Sequence, residues 1–165
     1  MIRKEGNAIL SEPSLNIKLF LDEEKRFYEK SSSFPNQNEF TKIQGIGLIS
    51  NQDYVMDINR KRCTLNKITY QNRVLINVNL LRLDIDNKPH TNPDGKKISG
   101  THLHVYREDC GDAWAYELTD PYLQNIKPGF NFPNLVQSDF ICNFYEFSRL
   151  CNFTNRVLFA TFLSM

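Results

Sequence analysis

Between Val74 and Tyr116, apolar and polar residues alternate in two runs separated by a polar loop. The first run passes through Leu81-Arg82-Leu83-Asp84-Ile85 and the second through His102-Leu103-His104-Val105. Each reads as a strand, and together they read as neighbouring antiparallel strands. The loop carries Asn87, Pro89, Asn92, Pro93, Asp94 and Gly95, with Gly100 closing it. Side chains alternate faces along a strand, so Arg82, Asp84 and Asp86 share one face and His102 and His104 share another. If the two faces coincide, these residues form one polar patch.

The same alternation, in shorter runs, predicts strands over Phe40 to Ser50, Tyr54 to Arg60 and Thr64 to Tyr70. A further strand is expected from Ala113 to Leu118, carrying Trp114 and Tyr116. Asn51-Gln52-Asp53 and the basic stretch Asn59-Arg60-Lys61-Arg62 read as hairpin turns. Before these, Ser14 can cap a helix reaching about Glu29, with Leu15, Phe20, Leu21 and Phe27 near helical spacing. Residues 119–134 hold Pro121, Pro128, Gly129 and Pro133, which exclude long regular elements. Beyond them Val136, Phe140, Phe144, Phe147 and Cys151 form the stripe of an amphipathic helix. The expected fold is α+β: an antiparallel sheet of about five or six strands, with an N-terminal helix and a C-terminal amphipathic helix packed on it. Residues 1–165 form one domain, with 1–13 a loose tail and 54–118 the central sheet.

Composition changes this picture little. At 165 residues with 41% hydrophobic and 24% charged side chains, the chain can bury a core without staples. Twenty basic residues against 19 acidic give a net charge of +1, which excludes a global basic field for nucleic acid and leaves only local patches. The four cysteines lack CxxC spacing and the N-terminus lacks a signal-peptide core, so reduced thiols in a cytoplasm are expected. No apolar run approaches the roughly 20 residues of a membrane span.

Candidate chemistry gathers on the histidines. His102 and His104, two apart on a strand, can share a metal ion with Asp84; His90, Asp86 and Asp94 are the other available donors, and mixed N and O ligands suit Zn or Mn. Without metal, His102 and His104 can serve as general base and general acid while Arg82 or Arg107 stabilises charge on a phosphate. That division of labour suits cleavage of an RNA phosphodiester, whose 2′-hydroxyl is its own nucleophile. His90, Arg107 and Asp84 would then help bind the ligand, with Trp114 and Tyr116 as a stacking platform for a base. The same polar residues also suit cross-strand hydrogen bonds and ion pairs on a solvated sheet face. Asp109 and Asp112 flank Cys110 and raise its thiol pKa, which disfavours cysteine catalysis.

The runs Asp57-Ile58-Asn59-Arg60, Thr69-Tyr70-Gln71-Asn72-Arg73, Leu81-Arg82-Leu83-Asp84-Ile85, Pro89-His90-Thr91-Asn92-Pro93-Asp94-Gly95, His102-Leu103-His104-Val105-Tyr106-Arg107-Glu108 and Trp114-Ala115 resemble, in this order, the uncharacterised family DUF6978. The resemblance implies small proteins of bacteria and their phages, and brings no activity. This chain has Lys61 and Asp109 where the family usually has glycine. The expected function is therefore a phage- or mobile-element-type protein that binds a phosphate-bearing ligand at the histidine patch, as a toxin-like, metal-independent phosphodiesterase of RNA or a nucleotide. The alternative is a non-enzymatic, phage-encoded inhibitor of a host defence protein, using apolar residues within 155–165.

Overall fold

A computed structural model describes residues 15–61, 66–86 and 88–160. The expected N-terminal helix is short. Helix α1 spans Ile17–Asp22, where Asn16 Oδ1 accepts the Leu19 amide and so satisfies one orphan donor of the first turn. Ser14 and the tail 1–13 lie outside the described residues. After Asp22 the chain extends, and Lys25–Phe27 forms strand β1. Lys25 and Phe27 point inward while Arg26 points out, a period of two that cannot continue a helix. Phe27 stacks on Phe153 at 4.0 Å between ring centroids, a partner far along the chain.

Strand β2 (Ser31–Ser32) is followed by the long antiparallel run β3 (Phe40–Gly47), β4 (Asp53–Asn59), β5 (Ile68–Val74) and β6 (Val78–Ile85). The small hairpin β7 (His90–Thr91) and β8 (Lys97–Ile98) leads into β9 (His102–Val105) and β10 (Ala115–Glu117). The main sheet has seven strands in the order β1-β3-β4-β5-β6-β9-β10, all antiparallel. Strand β6 pairs with β9, as the alternation predicts, with Arg82 opposite His104 and Asp84 opposite His102. The chain then forms helix α2 (Leu123–Ile126), a 3-10 turn (Phe132–Leu135), helix α3 (Phe140–Leu150) and strand β11 (Leu158–Phe159), which runs parallel to β2.

The sheet has two unlike faces. One carries Met56, Ile58, Tyr70, Leu81, Leu83 and Leu103, all buried, and α3 packs Phe144 and Phe147 against Tyr70. Tyr70 donates its hydroxyl to the Phe140 carbonyl at 2.6 Å, tying the helix start to the middle of the sheet. Val136, expected in the helical stripe, precedes the helix and is exposed, while Cys151 caps its end. The opposite face is polar. Its rows read Lys42, Asp57, Gln71, Arg82, His104 and Phe40, Asn59, Thr69, Asp84, His102 across successive strands. No helix among the described residues is long and apolar enough to cross a membrane.

One turn departs from expectation. Val74 to Asn79, read as the start of the central strand, contains a reversal: Leu75 and Ile76 hold positive φ values of 51° and 67° and join β5 to β6. Nothing in an apolar Leu-Ile pair signals this, since such backbone favours Asn and Gly. At the β3–β4 turn the Glu23 carboxylate reaches in, accepting from the Ile49 and Ser50 amides and from the hydroxyls of Ser50 and Tyr54. Gly47 makes room for it, because a Cβ there would lie 2.4 Å from Glu23 Oε1.

Candidate functional site

On the polar face, the β6–β9 register sets Arg82 and Asp84 directly against His104 and His102. The long connection between those strands brings a third histidine back. His90 begins β7, and its ring lies 4.6 Å from that of His104 and 5.3 Å from that of His102, centroid to centroid. The pair His102 and His104 are themselves 5.0 Å apart. One ring nitrogen from each of the three lies within 4.8 Å of the others. His102 and His104 are almost fully buried and His90 half-buried.

The hydrogen bonds fix the tautomers. Nε2 of His90 contacts the Ala113 carbonyl at 3.0 Å, Nδ1 of His102 the Gly100 carbonyl at 2.8 Å, and Nδ1 of His104 the Asp112 carbonyl at 2.8 Å. A carbonyl only accepts, so each of these nitrogens carries the hydrogen. In the neutral rings the lone pairs then reside on His90 Nδ1, His102 Nε2 and His104 Nε2. Arg82 supplies a second argument for His104, because guanidinium only donates and its Nη2 lies 2.9 Å from His104 Nε2. His104 is therefore a neutral ring accepting from Arg82. Its pKa is lowered accordingly, by burial first and by the Arg82 charge, although Asp84 opposes both.

Asp84 is the hub. Its Oδ1 accepts from Thr69 Oγ1 at 2.7 Å, its Oδ2 from Arg82 Nε at 3.1 Å, and Oδ2 also faces His102 Nε2 at 3.5 Å and His104 Nε2 at 3.3 Å. Burial alone would raise the Asp84 pKa; His102, the guanidinium and the threonine hydroxyl outweigh it and hold the carboxyl well below the usual range. For His102 the balance also goes against burial, and its pKa is raised by Asp84 and the Gly100 carbonyl. The Asp84 contact with His104 counts as an ion pair only for a protonated ring, which the Arg82 donor rules out.

Residues that the sequence did not single out complete the cluster. Asp112 takes a second bond from Arg82, Nη1 to Oδ2 at 3.1 Å, as its carbonyl takes the His104 proton. The tight turn before it, with Arg107 bridged to Gly111 and Gly111 at φ 61°, delivers the Asp112 and Ala113 carbonyls to two of the rings. A lone aspartate in a turn gives no sequence signal for this, since its role depends on which strand the turn lies beside.

The remaining candidates lie elsewhere. Tyr116 pairs with Leu103 and points to the core face, 5% exposed, with its ring stacked on Tyr122. Trp114 lies beside it under the Arg107 guanidinium, 4.2 Å from the ring centroid, and Arg107 bonds Asp109 at 2.9 Å. These three form a group apart from the histidines. Asp86 and Asp94 each accept a nearby backbone amide, from Lys88 and Lys96. On the histidine face itself, a cleft of about 240 Å³ opens beside the cluster, lined by Phe40, Lys42, Asp57, Asn59, Lys61 and Gln71, with Thr69 as the shared wall.

The model of a family of unknown function, DUF6978, matches residues 14–152. No curated protein and no solved structure matches the chain.

Proposed function

Because the chain belongs to the DUF6978 family, whose function is unknown, its chemistry rests on its own residues, and we propose that the centre around Asp84 binds a phosphate-bearing ligand, RNA or a nucleotide, and cleaves a phosphodiester bond. The observation that carries this reading is the gathering of three imidazoles, one guanidinium and the Asp84 carboxylate on the sheet face opposite the one on which α3 packs. Arg82, with its side chain 27% exposed, is a cation within reach of a phosphate. It neutralises the charge that grows on the phosphoryl oxygens during cleavage. One ring nitrogen from each of His90, His102 and His104 lies within 4.8 Å of the others. A ribose 2′-hydroxyl provides the nucleophile, giving its proton to one imidazole as it bonds to phosphorus, and the P–O5′ bond breaks with a proton passing from a second, protonated imidazole to the leaving oxygen, so that a 2′,3′-cyclic phosphate and a 5′-hydroxyl result. The adjoining cleft, with Phe40 and amide side chains in its wall, has the character of a sugar-and-base pocket. A cytoplasmic protein of phage or mobile-element type, acting as a toxin, fits this chemistry.

The test is cleavage of a short mixed-sequence RNA and of its all-deoxy counterpart by the purified chain, as isolated and after addition of zinc or manganese. Cleavage of RNA alone, lost in Arg82→Gln and His102→Gln variants that keep their circular dichroism, supports the reading. Neither binding nor cleavage of either strand under any of these conditions overturns it.

A second reading has its own observation. Leu48, Ile49, Leu75 and Ile76 are exposed on two turns at one end of the sheet, Ile76 at 76%. An apolar rim of this kind suits a protein partner, as a phage-encoded inhibitor of a host defence protein would require. Of the apolar residues within 155–165 named for that role, Val157 is buried, Phe159 packs on Phe34 and Phe144, and Leu158 is exposed, while 161–165 lie outside the described residues. If Ile49→Ser and Ile76→Ser abolish cellular activity while His102→Gln does not, the inhibitor reading prevails.

A further inference from the structure

We infer that the three histidines and Asp84 bind one divalent cation of the zinc class, through His90 Nδ1, His102 Nε2, His104 Nε2 and Asp84 Oδ2. The first argument is what the other ring nitrogens do. Each of the three imidazoles gives its N–H to a backbone carbonyl, and this arrangement fixes the tautomer and ring orientation of metal-bound histidine. A cluster of solvated or acid–base histidines has no need for all three protons to be directed outward onto main chain. The consequence, in the neutral rings, is three inward lone pairs, two of them on almost fully buried rings and that of His104 met by the Arg82 guanidinium.

Distances supply the second argument. Asp84 Oδ2 stands 3.5 Å from His102 Nε2 and 3.3 Å from His104 Nε2. Charge-assisted N–H···O bonds are shorter, about 2.7–2.9 Å. Two ligands on one tetrahedral zinc ion, with bonds of roughly 2.0–2.2 Å, are instead about 3.3–3.5 Å apart. The carboxylate is held for that task by Thr69 and Arg82, and its charge offsets that of the ion. Imidazole-rich donors favour zinc over manganese.

Arg82 is the competitor. Its Nη2 occupies the His104 lone pair, so entry of the ion displaces this one hydrogen bond while Arg82 keeps Asp84 and Asp112. The guanidinium and the ion then lie side by side, a pair suited to gripping one phosphate. Binding of the ion stands apart from phosphodiester cleavage; only its part in that chemistry rests on the reading above.

The experiment needs no substrate. The chain is stripped with chelator, dialysed, and titrated with zinc alone by calorimetry and with cobalt alone by visible absorption, alongside His90→Ala. His90 begins the β7–β8 hairpin outside the main sheet, so this variant tests a ligand without disturbing β9. One equivalent of zinc, a tetrahedral cobalt spectrum, a melting temperature raised by zinc, and affinity at least about 10–100-fold weaker in folded His90→Ala are expected. Absence of stoichiometric binding to folded wild-type chain, or binding unchanged by His90→Ala, overturns the inference. Metal bound without RNA cleavage would leave the ion and remove the enzyme; RNA cleavage by a folded chain that takes up no zinc would do the reverse.

Discussion

Asn92 lays its side-chain amide along the backbone of Ala115, donating from Nδ2 to the carbonyl at 2.9 Å and accepting the amide hydrogen at Oδ1 at 2.8 Å. The residue is almost fully buried and sits two positions after His90. These bonds dock the β7–β8 hairpin against β10 and set His90 over the other two rings.

Replacing Asn92 with alanine is expected to loosen the hairpin and leave the main sheet folded. Two hydrogen bonds to a buried residue disappear, a cost of about 1–3 kcal/mol. Zinc affinity should fall at least tenfold while chemical denaturation records the loss in stability. Unchanged affinity in this variant would mean that His90 is positioned by its own contact with Ala113.

Arg82→Gln separates two roles of one side chain. The guanidinium stabilises charge on a phosphate but also covers a lone pair of His104. RNA cleavage should drop by about 10²-fold or more, the scale for losing one donor to developing charge. Zinc should bind as tightly as in wild type or more so. Parallel loss of both would instead assign Arg82 to holding Asp84 in place.

Lys25 predicts a pH dependence of stability far from the centre. It is fully buried, its ammonium 4.8 Å from the Tyr54 ring centroid and 3.0 Å from the Glu23 carbonyl, and burial pushes its pKa from 10.5 down to about 8. Below pH 8 both folded and unfolded chains keep the proton, and the cost of burying the charge is fully present. Between about pH 8 and 10.5 the folded chain releases it first, so stability rises with pH by up to about 3 kcal/mol. Lys25→Met should abolish this rise in urea unfolding measured at pH 7, 8 and 9.5. An equal rise in the variant would assign it to another group.

The β5–β6 turn invites stabilisation. Leu75 and Ile76 both sit in left-handed backbone, which disfavours them and costs on the order of 1 kcal/mol or more each. Leu75→Asn with Ile76→Gly supplies the pair that such turns favour. Unfolding free energy should rise by about 1–2 kcal/mol. A destabilised double variant would show that the exposed apolar side chains pack better than their exposure suggests.

Much of the central geometry was legible in the sequence because it is local. Alternation puts Arg82 and Asp84 on one face and His102 and His104 on one face, and the antiparallel β6–β9 pairing brings those faces together. The α3 stripe through Phe144 and Phe147 was equally plain. What failed to appear depends on distant partners. Leu21 and Phe27 look helical by spacing, yet Phe27 is drawn into a strand by Gly45 across the ladder and by Phe153. His90 was one loop donor among several, and only the docking of its hairpin distinguishes it from Asp86 and Asp94. Trp114 and Tyr116 read as neighbours of the histidines along the chain, but the register of β10 on β9 turns Tyr116 to the other face.

The docked asparagine also bears on association between chains. Strand β10 is the last of its sheet, and the outward amide and carbonyl of Ala115 are the groups on which a foreign strand would start to pair. Asn92 holds both of them, standing in for one residue of an eighth strand. The hairpin that completes the histidine cluster thus also closes the border of the sheet, and a change that releases one exposes the other to strand addition and aggregation.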